Sequence, residues 1–345
     1  VPPGRSAVCH ATADTEGSVL VLTRDGDGAT ASAKGEPCST AVAVDMKDGR
    51  EPWNAPLSEP DPPRFQHSSV SAGSGVAVLL QKDDLHAVDV RTGKSRWKAA
   101  RPKDCVPGRT AVAERQVAAL LACGGTDNIW GDKVTEDAEL HVATFAPATG
   151  ALLWSAPLGG RRAILWDASA AFVSADPVVV AASESNDSDA GAYLSFGRNG
   201  RPNPPIDFSG PHGEIGFSDR LRAAVDRSRL YLLPRHRKVE RLTAFDLATG
   251  DAVWGGTRHD DLYEGDSGDQ LVLQDGKVTL LTSRRRGPYR LHDFDPATGE
   301  RSEVRVLPDD LGPADKLFTY EGRLVVARYA ACSTGSRPFT AYERR

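Results

Sequence analysis

One phrase recurs through the 345 residues: an alternating strand, then Asp, three residues, Gly, three residues and Trp. It stands as AVDMKDGREPW ending at Trp53, AVDVRTGKSRW ending at Trp97, TFAPATGALLW ending at Trp154 with Ala146 in the Asp place, and AFDLATGDAVW ending at Trp254. Two copies are worn. DFDPATGERSE keeps Asp295 and Gly299 but has Glu303 where Trp is expected, and SFGRNGRPNPP keeps only Gly200. The marker glycines Gly49, Gly93, Gly150, Gly200, Gly250 and Gly299 follow one another at 44, 57, 50, 50 and 49 residues. Self-similarity at such a period marks a repeat architecture. One more step lands just past Arg345, so six marked units and an unfinished seventh are expected to fill residues 1–345 as a single domain.

Each residue of the phrase has a physical task. The segment before the turn alternates (Leu85, Ala87 and Asp89 against His86 and Val88), as a strand with unlike neighbours on its two faces must. Asp bonds back to turn N–H groups and Gly takes the positive φ that the hairpin needs. Trp lies on the outer strand with area enough to fill the wedge between neighbouring units. Two more apolar runs precede each marker, as with Ser69–Ser71 and Val76–Leu80. Four strands per roughly 50 residues, repeated radially, predict an all-β propeller of about seven four-stranded blades, or eight if upstream residues add one. The 33 glycines and 23 prolines sit in short clusters between apolar runs, which suits many strands and no long helices.

The run Leu-x-Ala-Leu/Phe-Asp-x-x-Thr-Gly-x-x-x-Trp resembles the quinoprotein (PQQ-like) β-propeller repeat. That repeat is shared by quinoprotein alcohol dehydrogenases, the outer-membrane assembly lipoprotein BamB and many exported proteins of Gram-positive bacteria. The resemblance runs from end to end and is specific for fold. It says much less about function, because the repeat is architectural. Within the family, alcohol oxidation implies longer eight-bladed chains with adjacent cysteines and a calcium ion clamping the quinone. No Cys-Cys dipeptide and no calcium cluster of carboxylates is legible here, so no cofactor is expected.

The last unit has three strand-like runs, 317–320, 323–329 and 339–342, and Val1-Pro2-Pro3 resembles the segment that follows a Trp strand, as in Ala55-Pro56-Leu57. The outer strand of the last blade is therefore expected from the N-terminal side, partly upstream of Val1, which would remove an open edge. Of the five cysteines, Cys105 precedes an inner strand of blade three and Cys123 ends the next; Cys9 and Cys38 hold comparable places in blade one. An intrablade bridge in each blade is the simplest pairing, and exported Gram-positive members of the family are similar in carrying such pairs. Cys332 is then either free or a rival partner for Cys9. Five buried thiols in a cytosolic protein are the alternative; paired ones imply an oxidising compartment.

Several chemistries find no support. A net charge of −5 lacks the clustered basic excess that nucleic-acid binding needs, and no apolar run approaches the roughly 18 residues of a membrane span. Any export signal or anchor is expected upstream of Val1. The Arg-over-Lys bias and heavy alanine use are a coding habit of high-GC bacteria. Asp25-Gly26-Asp27-Gly28 and Asp187-Ser188-Asp189 read as polar hairpin tips and not as complete calcium loops. His86 and His292 occupy equivalent places in different blades and read as strand-face residues. No zinc-protease, nucleophile-elbow or phosphate-loop motif is present, so no catalytic or metal residue is assigned.

The loops joining second to third strands are more telling. On blade five this loop carries Arg235, His236, Arg237 and Lys238, and on blade six Arg284, Arg285 and Arg286. The matching loops of blades three and four are acidic (Asp132, Glu136, Asp137; Glu184, Asp187, Asp189), and the former also holds Ile129 and Trp130. A basic sector beside an aromatic-bearing loop is a docking surface in outline. Asp260, Asp261, Glu264 and Asp266, on the connection between blades five and six, could instead simply neutralise the arginines. The expectation is a non-catalytic, exported and anchored scaffold binding a protein or cell-envelope ligand on that loop face. A sensor domain of a membrane Ser/Thr kinase is the first alternative and a quinone-dependent oxidoreductase the second.

Overall fold

A computed structural model describes residues 8–14, 18–24, 40–57, 70–81, 84–100, 102–124, 139–158, 170–183, 191–215, 222–236, 239–255, 270–284, 287–307, 316–321, 323–327 and 339–342. Among the described residues the regular elements are all β-strands. The chain divides into two compact units, Val1–Asp167 with Phe318–Arg345, and Ala168–Leu317.

In the first unit, blade one consists of β1 (Val8–Asp14), β2 (Val19–Arg24), β3 (Thr40–Asp45) and β4 (Asn54–Pro56). Blade two follows with β5 (Val70–Gly73), β6 (Val76–Gln81), β7 (Asp84–Asp89) and β8 (Ser95–Lys98), and blade three with β9 (Cys105–Val112), β10 (Val117–Cys123), β11 (Glu139–Phe145) and β12 (Leu152–Pro157). In the second unit, blade four has β13 (Ala170–Ala175), β14 (Val178–Ser183), β15 (Gly191–Phe196) and β16 (Ile206–Asp207). Then come four two-residue or shorter-than-average elements: β17 (Ser209–Gly210), β18 (Gly213–Glu214), β19 (Ala224–Val225) and β20 (Arg229–Leu232). These are followed by β21 (Arg235–His236), β22 (Val239–Glu240), β23 (Thr243–Asp246) and β24 (Ala252–Gly255). Blade five is β19-β20-β23-β24, and blade six is β25 (Gln270–Gln274), β26 (Lys277–Arg284), β27 (Gly287–Phe294) and β28 (Arg301–Val306). The last sheet, β29 (Lys316–Tyr320), β30 (Arg323–Ala327) and β31 (Phe339–Tyr342), has three strands among the described residues. Every blade is an antiparallel meander in chain order.

The inner strands are buried on both faces. In blade one, Val19, Val21, Ala41 and Ala43 join Trp53, Val70, Ala77 and Leu79 in one core with blade two, while Leu20, Leu22 and Val42 line the opposite face. Val76, Val78, Leu85 and Trp97 then pack with Val117, Leu121 and Phe145 of blade three. The second unit repeats this between blades four and five (Val179, Tyr193, Leu230, Phe245) and five and six (Tyr231, Ala244, Leu280, Phe294). A two-sided core suits stacked sheets and would leave either face of a lone sheet exposed to water.

The turn and the tryptophan explain how the sheets lock. At each Asp turn the glycine N–H donates to the Asp carbonyl at 2.8 Å, as for Gly49 on Asp45 and Gly93 on Asp89, and the glycine φ is positive. The Asp side chain collects further N–H groups, those of Arg91 and Thr92 on Asp89 and of Ala297 and Thr298 on Asp295. Trp53, Trp97 and Trp254 each lie against the turn glycine of the following blade. A Cβ on Gly93 would stand 2.7 Å from Trp53, and one on Gly150 2.6 Å from Trp97. The indole N–H donates to the carbonyl of the residue after the Asp place: Trp53 to Val90 at 2.8 Å, Trp97 to Pro147 at 2.6 Å, Trp254 to Pro296 at 3.2 Å. Trp154 is half-buried on β12.

Blade four lacks the tryptophan, and its tasks are divided. Pro204 and Pro205 cover Gly250. Ser195 Oγ donates to the Leu247 carbonyl at 3.0 Å, and Asn203 Nδ2 donates to Ser195 Oγ at 3.0 Å. Cys105 and Cys123 face each other across β9 and β10 and form a disulfide. Cys9 has no described side chain, and Cys38 and Cys332 lie outside the described residues, as do Val1, Pro2 and Pro3.

Candidate functional site: the hairpin ends of blades five and six

Blade five is elaborated beyond the repeat. Its second and third strands continue past the blade as β21 and β22, with registers Arg235↔Glu240 and His236↔Val239. A hairpin of β17 and β18 pairs beside them through Glu214↔Arg235, giving a small second sheet in the order β17-β18-β21-β22. Pro211 and His212 make the turn of that hairpin. Blade six ends its corresponding strands more simply, with Arg284↔Gly287 in register.

The small sheet closes over a buried ion pair. Arg222 and Glu240 have side chains only 10% and 5% exposed, and the guanidinium takes both carboxylate oxygens, Nη1 donating to Oε1 at 2.9 Å and Nη2 to Oε2. Arg235, 53% exposed, adds Nη2 on Oε1 at 3.2 Å. Burial alone would raise the Glu240 pKa, but the bonds from Arg222 and then Arg235 outweigh it and hold the carboxyl below its ordinary value. His212 packs edge-on against Phe245 with centroids 5.0 Å apart, and its Nε2 bonds the Asp207 carbonyl at 3.1 Å. Burial lowers its pKa and that bond opposes the shift only in part. The pair fixes the base of the β21–β22 hairpin, and a buried ion pair of this kind serves geometry better than stability.

Of the residues singled out in the sequence, Arg235 is exposed on β21 and Arg284 ends β26. Arg237, Lys238, Arg285, Arg286 and Trp130 lie outside the described residues, as do the acidic loop residues of blades three and four, the acidic connection between blades five and six, and Asp25, Asp27, Asp187 and Asp189. His86 is half-buried on β7; His292 is fully buried on β27, bonded through Nε2 to Thr282 Oγ1 at 3.0 Å. Beside it Asp293, 1% exposed, accepts from Thr279 Oγ1 at 2.7 Å and from Arg305 Nη2 at 3.0 Å. Among the described residues no three His, Cys, Asp or Glu side chains converge as a metal site would require.

The second sheet escaped the sequence reading. Its strands are two residues long, too short for any alternation, and the one signal available was Ser-Gly-Pro-His-Gly at 209–213, a tight-turn sequence. The Arg222–Glu240 pair carried no signal, since nothing in spacing links the two.

Repeated four-stranded antiparallel meanders with a common turn glycine, and an outer-strand tryptophan wedged against the following turn at Gly93, Gly150 and Gly299, define a β-propeller of PQQ-like repeats. The family described as outer membrane protein assembly factor BamB matches residues 5–125 and 32–256, and the chain belongs to it. BamB from Moraxella catarrhalis is similar in structure at a TM-score of 0.50 and 14% identity, over 93% of this chain and 82% of that one. The β-propeller domain of the Trilobed protease from Pyrococcus furiosus gives 0.53 and 12%, over 97% and 94%. Pyrococcus horikoshii acylaminoacyl peptidase gives 0.55 and 14% over 98% of this chain, which spans only 51% of the peptidase. At such identities the likeness is one of fold. No curated protein matches the chain in sequence.

Proposed function

We propose that this propeller is a non-catalytic scaffold at the cell surface or outside the cell, binding a protein or cell-envelope ligand through the hairpin ends of blades five and six. The observation that carries the reading is the extension of blade five into β21–β22, which holds Arg235 exposed on a base fixed by Arg222 and Glu240. The hairpin of blade six, with Arg284 before its tip, closes the same pair of strands in the neighbouring sheet. Membership in a family described as an outer membrane assembly factor supports a scaffold role. The Cys105–Cys123 bridge supports an oxidising compartment. Neither bears on which partner is bound.

Changing Arg284, Arg285 and Arg286 together to Glu tests the reading. The thermal midpoint should stay within about 1 °C, because hairpin-tip charges are solvated. Recovery of bound partner from a cell-envelope extract, compared side by side with the parent protein, should fall sharply. Equal recovery would refute the basic sector as the contact surface. A stoichiometric chromophore in the purified protein would overturn the non-catalytic reading.

A further inference from the structure

Sheet edges in natural proteins are usually blunted by prolines, lysines or short length. The outer strands here follow that habit: β4 ends in Pro56, β12 ends in Pro157, and β16 has two residues. In β8, Lys98 pairs with Asp84 at 2.6 Å, while β24 stops at Gly255 after four residues. The outer strand of blade six, β28, is different. It runs six residues, Arg-Ser-Glu-Val-Arg-Val, with neither Pro, Gly nor Lys, and it ends the sheet order β25-β26-β27-β28. Val304 and Val306 on it are 40% and 61% exposed.

The direction of its backbone groups follows from one bond. Leu307 N–H donates inward to the Tyr289 carbonyl at 2.8 Å. Backbone groups alternate along a regular antiparallel strand, so Val304 and Val306 turn their N–H and C=O outward, whereas the register shift between Asp293 and Phe294 breaks the alternation at Ser302. Side-chain chemistry along the same edge is self-complementary. Glu303 is 46% exposed, and Arg305 is held by the buried Asp293 at 3.0 Å with Glu303 beside it at 3.7 Å.

We propose that β28 is a homodimerisation edge, pairing antiparallel with β28 of a second copy of this chain about a two-fold axis at Val304. In that register Val304 meets its own counterpart and Glu303 lies opposite Arg305 on both sides of the axis. Val304 then exchanges two bonds with its counterpart at the axis. Axes at Glu303 or Arg305 keep the bonding phase but set like charges directly opposite, which is unfavourable. An axis between residues sets outward groups against inward ones. Among axes at Glu303, Val304 and Arg305, charge therefore favours the one at Val304. Two such edges bury less than the ~1,200 Å² of stable complexes, so the association is weak and reversible.

Sedimentation equilibrium over a concentration series, with amide exchange of Val304 and Val306 at both ends of it, tests the proposal. The parent protein should dimerise reversibly, and those two amides should slow as concentration rises. Val304→Pro removes an outward donor while leaving the inner ladder intact, and should weaken the dimer at least about tenfold. Val304→Lys keeps every backbone donor and sets like charges on the axis, so it should do the same even if the proline variant proves unstable. Glu303→Lys should also weaken it, by opposing Arg305 twice. A parent protein that stays monomeric, or a dimer indifferent to Val304→Lys, overturns the proposal; a dimer indifferent to Glu303→Lys overturns the register.

Discussion

Gly150 offers a measurement of the inter-blade lock, because two separate penalties meet there and a second glycine carries only one of them. Both Gly49 and Gly150 are left-handed, with φ of +74° and +70°. An alanine at either must adopt that conformation at a cost of about 1–2 kcal/mol. At Gly49 the new methyl meets no atom within 4 Å, whereas at Gly150 it would stand 2.6 Å from the ring of Trp97. Trp97 is 7% exposed and bonded to the Pro147 carbonyl, so it has little freedom to retreat. Overpacking of this kind costs a further ~1–3 kcal/mol. Gly150→Ala should therefore exceed Gly49→Ala by about 2 kcal/mol, or roughly 3 °C in thermal midpoint for a chain of this length. Trp97→Ala alone should cost about 3–5 kcal/mol. In that background the excess at Gly150 should vanish, giving a coupling of about 1–3 kcal/mol in a double-mutant cycle read by urea unfolding. Equal costs at the two glycines, or an excess that survives loss of the indole, would refute the lock.

Two further expectations concern charge. Because Glu240 has a folded pKa below its ordinary 4.5, its contribution to stability is present above that value and is lost as pH falls below it. Arg222→Met leaves a buried carboxylate with only Arg235 beside it. Unfolding at neutral pH should become easier by about 3–5 kcal/mol, and the sign of the Glu240 contribution should reverse, growing as pH falls. A variant whose stability near pH 4.5 tracks that of the parent would show the pair to be dispensable. Asp89 is held at about 2, chiefly by the Arg96 guanidinium and against burial, with the Thr92 hydroxyl and the turn N–H groups assisting. Arg96→Ala should raise the Asp89 pKa in a carboxylate NMR titration and narrow the acid range over which the turn persists; an unmoved titration would assign the shift to the turn backbone alone.

The fold was legible because its rules are local. A turn glycine at +68° to +77°, the Asp that gathers the next N–H groups and the Trp four residues on all lie within one phrase of sequence, so spacing alone exposes them. Ala146 shows which part matters most. It has no side-chain acceptor, yet Gly150 N–H still reaches its carbonyl at 2.8 Å. The candidate site was legible only in part. Arg235 and Arg284 announce themselves as members of basic clusters, but the scaffold beneath Arg235 comes from residues 209–214 and 222, far along the chain and without periodicity. Outer-strand exposure was equally hidden, since whether Val304 and Val306 face water depends on which strand is last in the sheet.

Blade four shows what the repeat actually specifies. Judged by the phrase, SFGRNGRPNPP is nearly erased, and a seam between blades four and five would seem to lack its fastening. The structure supplies both tasks of the tryptophan by other means. The carbonyls of Pro204 and Pro205 and the Pro204 ring occupy the space over Gly250 that an indole occupies over Gly93 or Gly150. Ser195 delivers the donor that the Leu247 carbonyl requires, and Asn203 orders Ser195 in turn. A buried carbonyl without a donor costs about 1–3 kcal/mol, so replacing the tryptophan demands both a filler and a donor together. What recurs from blade to blade is that pair of physical requirements, and Trp is the most compact way of meeting both with one side chain. Glu303 of blade six meets neither. It sits 46% exposed beside Arg305 and Lys277 on β28. Release from the wedge task leaves that strand's outer edge open to a different use.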